Sequence, residues 1–136
     1  MTYQKYNDLT TDVVKIRTAV FVQEQGFKNE FDEIDKTCTH IVLYDAQIPA
    51  GTCRYFREGP NYHIGRVAVS KEYRGQHLGE HLMQIAENEI KKEGGKQIEV
   101  SAQVRVKDFY RKLGYRATGP VYYDEYCAHI RMVKLL

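Results

Sequence analysis

The chain has 136 residues, 43% hydrophobic and 28% charged, which is the make-up of one soluble domain able to bury a core without staples. Twenty basic against eighteen acidic residues leave a formal charge of +2, and no long run of like charge argues for nucleic acid or a membrane surface as partner. The three cysteines, Cys38, Cys53 and Cys127, are odd in number and lack CxxC or zinc spacing, so free, mostly buried thiols without a metal are expected. The polar start MTYQKYND carries no signal-peptide core, and no apolar stretch approaches a membrane span; a cytoplasmic protein is expected.

In chain order, Thr2–Tyr6 reads as a short strand. Val13, Ile16, Val20 and Phe21 recur at helical spacing and predict an amphipathic helix over Thr10–Gln25. The acidic stretch Asn29–Asp35 reads as a loop or a second short helix. His40–Tyr44 is a strand, a turn over Asp45–Pro49 leads to another at Ala50–Phe56, and Glu58-Gly59-Pro60-Asn61 turns into a strand over Tyr62–Val69. Leu78, Leu82, Ala86 and Ile90, widened by Met83 and Ile85, mark the longest helix, with Gly94-Gly95 as its stop. A strand at Gln97–Ser101, a short helix over Lys107–Leu113 and late strands near Tyr115–Thr118 and His129–Leu135 follow. With no repeat or linker, the reading is one domain over 1–136, an α/β (α+β) sheet with helices packed on it.

The segment Arg66–Leu82, RVAVSKEYRGQHLGEHL, carries the clearest chemistry. A buried strand enters a short loop and then a long helix whose first N–H groups lack internal partners. The helix dipole and Arg74 add positive charge, and Gly75 and Gly79 allow close backbone approach, so the loop suits a diphosphate. A P-loop is excluded because Glu80-His81 follows Gly79, and a Rossmann loop because a third glycine is missing.

Arg74-Gly75-Gln76-His77-Leu78-Gly79 resembles the Gln/Arg-x-x-Gly-x-Gly/Ala signature of the GNAT acetyltransferases, with His77 at the middle glycine. About thirty residues on, Phe109-Tyr110-Arg111-Lys112-Leu113-Gly114-Tyr115 is similar to that family's Phe-Tyr-x-x-x-Gly-Phe/Tyr segment. VFVQEQGFKNEFDEID and HIVLYD resemble the N-terminal half of its small ElaA-like branch. The resemblance covers nearly the whole chain. It implies a mixed, mostly antiparallel sheet of six to seven strands with about four helices, splayed between strands four and five.

It also implies an N-acetyltransferase using acetyl-CoA as co-substrate, without a metal or a covalent enzyme intermediate. Backbone groups of Val67, Ala68 and Val69 would pair with the pantetheine arm, and N–H groups of Arg74, Gly75, Gln76, His77, Leu78 and Gly79 would hold the pyrophosphate. Gln103 falls where relatives place a coenzyme-contacting Asn; Phe109 and Tyr115 read as wall and core. Tyr110 is the candidate general acid for the leaving thiolate, and its ionisation would give the rate an alkaline limb. The family's strand-four glutamate is replaced by Gly65-Arg66. Glu24 is therefore the first candidate base, with His129 and Glu30 behind it, and a water chain as the alternative. Glu24, Glu30, Asp32, Glu33 and Asp35 would form an acidic mouth attracting a cationic amine. A non-catalytic acyl-CoA-binding module is the alternative function, and a homodimer is compatible with the sequence.

Overall fold

Seven strands form one sheet in the order β1-β2-β3-β4-β5-β7-β6 in the computed structural model, which describes residues 1–136. The strands are β1 (Thr2–Tyr6), β2 (Thr39–Asp45), β3 (Ile48–Glu58), β4 (Asn61–Val69), β5 (Gln97–Gln103), β6 (Arg116–Asp124) and β7 (Cys127–Leu135). Every neighbouring pair is antiparallel except β4 and β5. That parallel pair needs a crossover, and α2 (Leu78–Lys92) supplies it. No helix is long and apolar enough to cross a membrane.

Helices cover both faces. On one face α2 buries the expected stripe of Leu78, Leu82, Met83, Ile85, Ala86 and Ile90 against Ile41, Leu43, Ile64, Ile98 and Val100. At about 1.5–3 kcal/mol per buried aliphatic side chain, this is the larger core. The helix ends where expected. Gly94 has φ of +89°, and a Cβ on Gly95 would lie 2.3 Å from Ile90 Cγ2. On the opposite face α1 (Thr11–Arg17) packs Val13 and Ile16 on Val42 and Ala68, its first turn capped by the Thr10 hydroxyl.

The helix expected over Thr10–Gln25 is α-helical only to Arg17; Thr18–Glu24 continues as a π-helical stretch. The buried pair Val20 and Phe21 falls on this stretch and continues the apolar stripe of Val13 and Ile16. With α3 (Lys107–Lys112) there are three α-helices where about four were expected, the remaining turns being short 3₁₀ segments. Strand β6 is longer than the late strand expected near Tyr115–Thr118. It is exposed along its whole length, so burial leaves no alternating hydrophobic pattern to mark it.

β4 and β5 pair only from Tyr62 to Ile64 against Ile98 to Val100. Beyond that point β4 keeps β3 as its partner and β5 keeps β7, so the two strands part. A bulge helps to bend β4 away. The β3–β4 register shifts between Thr52 and Arg54, opposite Arg66, whose φ is +51°. An L-residue in the left-handed region costs about 1–2 kcal/mol, and Arg66 is held there by its contacts. Its guanidinium reaches the Glu30 carboxylate at 3.0 Å and Asp32 at 3.4 Å, and also donates to the Glu30 carbonyl.

These contacts belong to a buried charge network. Arg17 pairs with Glu30 at 2.9 Å and with Asp35 at 2.6 Å, and Arg54 pairs with Asp32 at 2.7 Å and Asp35 at 2.8 Å. Three guanidiniums thus face three carboxylates. Burial works to raise the Asp35 pKa, but hydrogen bonds from Arg17, the Asp32 N–H and Arg54 outweigh it and hold the carboxyl well below its usual range. Burial dominates at Glu30 and raises its pKa, against Arg66 and Arg17.

Removing one member leaves buried charge uncompensated, so Arg17→Met should cost about 3–5 kcal/mol in urea unfolding. Because the Asp35 pKa is lowered on folding, its contribution is complete above the unfolded value near pH 4 and fades as pH falls toward the folded value. The stability gap between wild type and Asp35→Asn should therefore narrow on acidification. A loss under about 1 kcal/mol for Arg17→Met would contradict the anchoring role.

Candidate active-site cleft

Where β4 and β5 part, the surface opens into two adjoining hollows. The inner one, of about 170 Å³, lies among Phe21, Phe27, Gly65, Arg66, Tyr110 and His129. The outer groove, of about 620 Å³, runs along Val67, Ala68 and Val69 toward Arg74. Gln25, Val67, Gln103 and Arg105 line both. Gln103 is the partition: its amide N–H donates to the Gln25 carbonyl at 2.9 Å, and its carbonyl accepts from Arg105 at 2.8 Å.

A third hollow, of about 220 Å³, lies over the loop from Arg74 to Glu80. None of the backbone N–H groups from Gly75 to Glu80 donates within the protein, and α2 has no side-chain cap. This is the unpaired donor set expected at a helix entrance. His77 has φ of +61° at the helix N-cap, a conformation that glycine adopts without the Cβ penalty. That is the physical reason for the glycine it replaces, and the imidazole is directed outward, 81% exposed, with Nδ1 3.4 Å from Glu80. Gly79 serves packing instead: a Cβ there would meet the Phe109 ring at 3.3 Å.

Arg74 is already engaged. Its guanidinium holds Glu24 at 2.6 and 2.8 Å and the Val69 carbonyl at 3.1 Å. The hydrogen bond from Arg74 keeps the Glu24 carboxyl below its usual range. Glu24 borders the outer groove but not the inner cavity. A carboxylate so placed is a weak base and does not share the cavity that Tyr110 lines.

Tyr110 is buried, with its ring edge-on to Phe109 and Tyr115. Its hydroxyl makes no hydrogen bond within the protein. Burial, with a smaller contribution from Cys53, pushes the phenol pKa well above its ordinary value. The alkaline limb expected from Tyr110 therefore moves out of the working range. Tyr115 lies in the core, donating to Glu87 at 2.8 Å.

His129 lines the same cavity as Tyr110. Its Nδ1 lies 2.9 Å from the Cys127 carbonyl; with Nδ1–H donating there, the lone pair is on Nε2. Glu30 also lines the cavity but is bound to Arg17 and Arg66. The acidic mouth does not survive as a field source. Glu30, Asp32 and Asp35 are neutralised by the three guanidiniums, Glu24 by Arg74, and Glu33 lies against Lys36. Asp35, Cys38 and His40 bring donor atoms within 4.8 Å of one another, but Asp35 is committed to two arginines and His40 Nε2 faces the Asp35 carbonyl at 3.0 Å. Burial raises the thiol pKa to about 11 at Cys38 and about 12 at Cys53, which leaves neither as a nucleophile. Among the cavity residues that sequence reasoning missed are Gln25, Arg105 and Asp124.

The model of the acetyltransferase (GNAT) domain matches residues 6–136. A Bacillus subtilis protein whose name assigns it provisionally to the acetyltransferases is 34% identical over 125 residues, 88% of this chain and 85% of the relative. The crystal structure of Escherichia coli ElaA superposes with a TM-score of 0.86 at 26% identity, covering 98% of this chain and 99% of that one. An aminoglycoside 6'-N-acetyltransferase solved with coenzyme A has a TM-score of 0.77 over 99% of this chain and 97% of its own; at 15% identity this likeness concerns the fold. The chain belongs to the GNAT acetyltransferase family, and its general reaction is acyl transfer from a coenzyme A thioester.

Arg74→Ala should weaken acetyl-CoA binding by roughly 10–100-fold, the worth of a charge-assisted contact to phosphate. The side chain is partly exposed, so folding should hold. Isothermal titration checks it, and an unchanged dissociation constant would leave Arg74 only the structural pairing with Glu24.

Proposed function

We propose that the chain moves the acetyl group of acetyl-CoA to an amine by direct attack. The observation that carries this reading is the parting of β4 and β5, which joins a line of unpartnered backbone donors at one end to an unpartnered phenol at the other. The β4 backbone at Val67, Ala68 and Val69 lacks a β5 partner and would pair with the pantetheine amides as an added strand. The pyrophosphate would take the N–H groups from Gly75 to Gly79, with Arg74 exchanging Glu24 for phosphate.

The acetyl group then lies by the Gln103 partition, and the amine waits in the inner cavity. Holding both reactants there supplies much of the acceleration. The nitrogen attacks the thioester carbon, the C–S bond breaks, and one proton passes in net from nitrogen to sulfur. His129 Nε2 takes the first proton, in place of Glu24, because it faces the cavity and Glu24 does not. Tyr110 serves the sulfur. A phenol held neutral by burial donates a hydrogen bond as thiolate charge develops, which is the moment when the interaction strengthens.

Tyr110→Phe removes a hydroxyl without internal partners, so stability and coenzyme affinity should change little. Turnover should fall about 10²–10⁴-fold, in kcat more than in KM. Wild type should show no alkaline limb from this phenol below about pH 10. A variant that binds acetyl-CoA normally and turns over within about threefold of wild type would remove Tyr110 from the chemistry. A wild-type chain that binds acetyl-CoA and acetylates no amine would return the alternative, a binding module.

A further inference from the structure

The inner cavity carries charges of both signs, and two of the four cancel within the protein. Glu30 and Arg66 on its wall belong to the buried network. Two exposed charges on the same wall have no ionic partner. Arg105 uses only Nε–H, on the Gln103 carbonyl, and leaves its two terminal nitrogens free. The Asp124 carboxylate, at the end of β6, makes no hydrogen bond or ion pair in the protein.

Their positions are not equivalent. Arg105 stands in the turn after β5, where the cavity meets the outer groove. Asp124 lies across the hairpin from Cys127, and Tyr122 across from His129. Alternate residues of a strand share a face, so Asp124 and His129 belong to the same face of the β6–β7 ribbon, and both line the cavity.

We propose that the acceptor is a small amine that also carries a carboxylate, an amino-acid-like zwitterion. Arg105 pairs with its carboxylate, and Asp124 draws its ammonium to the side of the cavity where His129 removes a proton. This narrows the N-acetyltransfer reading and rests on it. A simple amine would place its cation in a cavity where Arg105 remains unpaired, and a polyamine would add further charge against that guanidinium. A zwitterion satisfies both free groups, and the guanidinium fork matches a carboxylate with two parallel donors. The cavity volume of about 170 Å³ admits a small acceptor.

The test is a thiol-release assay with acetyl-CoA and matched pairs: β-alanine against propylamine, 4-aminobutyrate against butylamine, lysine against cadaverine, with spermidine as the polycation. The carboxylate-bearing member of a pair should show kcat/KM roughly 10–100-fold higher, the worth of the charge-assisted contact. Arg105→Gln should erase that ratio, with the acetyl-CoA KM measured separately because Arg105 also borders the coenzyme groove. Asp124→Asn should lower kcat/KM for both members of a pair alike. Equal rates within pairs, a preference for spermidine, or a ratio that survives Arg105→Gln would overturn the zwitterion while leaving N-acetyltransfer intact. Failure of every amine to stimulate thiol release, although acetyl-CoA binds, would overturn both.

Discussion

Arg17 is a charged side chain with 1% exposure, set between Glu30 and Asp35, and the cleft depends on that arrangement. A guanidinium cannot be buried alone, so the segment after the first helix must fold back to bring carboxylates to it. The same carboxylates hold Arg54 from β3 and Arg66 from β4. Arg66 sits at the bulge with a backbone conformation that costs energy for an L-residue, and its two contacts with Glu30 hold it there. The bulge bends β4 away from β5, and the opening between them receives the coenzyme in the proposed mechanism.

A second consequence concerns charge. Packing three carboxylates against three guanidiniums cancels the field that an acidic loop would otherwise project into the cavity. What the acceptor meets is set by the few groups outside the network. Tyr110 is neutral and unpartnered, His129 has its tautomer set by a backbone carbonyl, and Arg105 and Asp124 stand free at the rim. The anion-binding loop works on a different principle. It relies on backbone donors left over at a helix entrance, so it tolerates His77 where glycine is easier, because the imidazole turns to solvent.

Much of the fold was legible because its signals are local. The stripe of α2, the stop at Gly94-Gly95 and the alternation of buried strands depend on residues a few positions apart. The motifs around Arg74 and Tyr110 were legible for the same reason. The π-helical stretch was not, because Val20 and Phe21 fit an α-helical stripe on paper as well as the wider turn. Strand β6 lacks a buried face and so lacks a pattern. The acidic segment was expected to draw a cationic amine because its neutralising partners Arg17, Arg54 and Arg66 lie far from it in sequence. Arg105 and Asp124 gave no signal either, since a free charge is defined only once the others are known to be paired.

The central claim is that the parted strands and the helix entrance together form the coenzyme site. Hydrogen–deuterium exchange with and without saturating coenzyme A tests it directly, because the amides from Gly75 to Glu80 have no internal acceptor and exchange freely in the unliganded protein. Coenzyme should slow those amides and the stretch from Val67 to Val69, and leave the exposed β6 edge unchanged. Unaltered exchange at the loop and at β4, with coenzyme bound, would contradict the account.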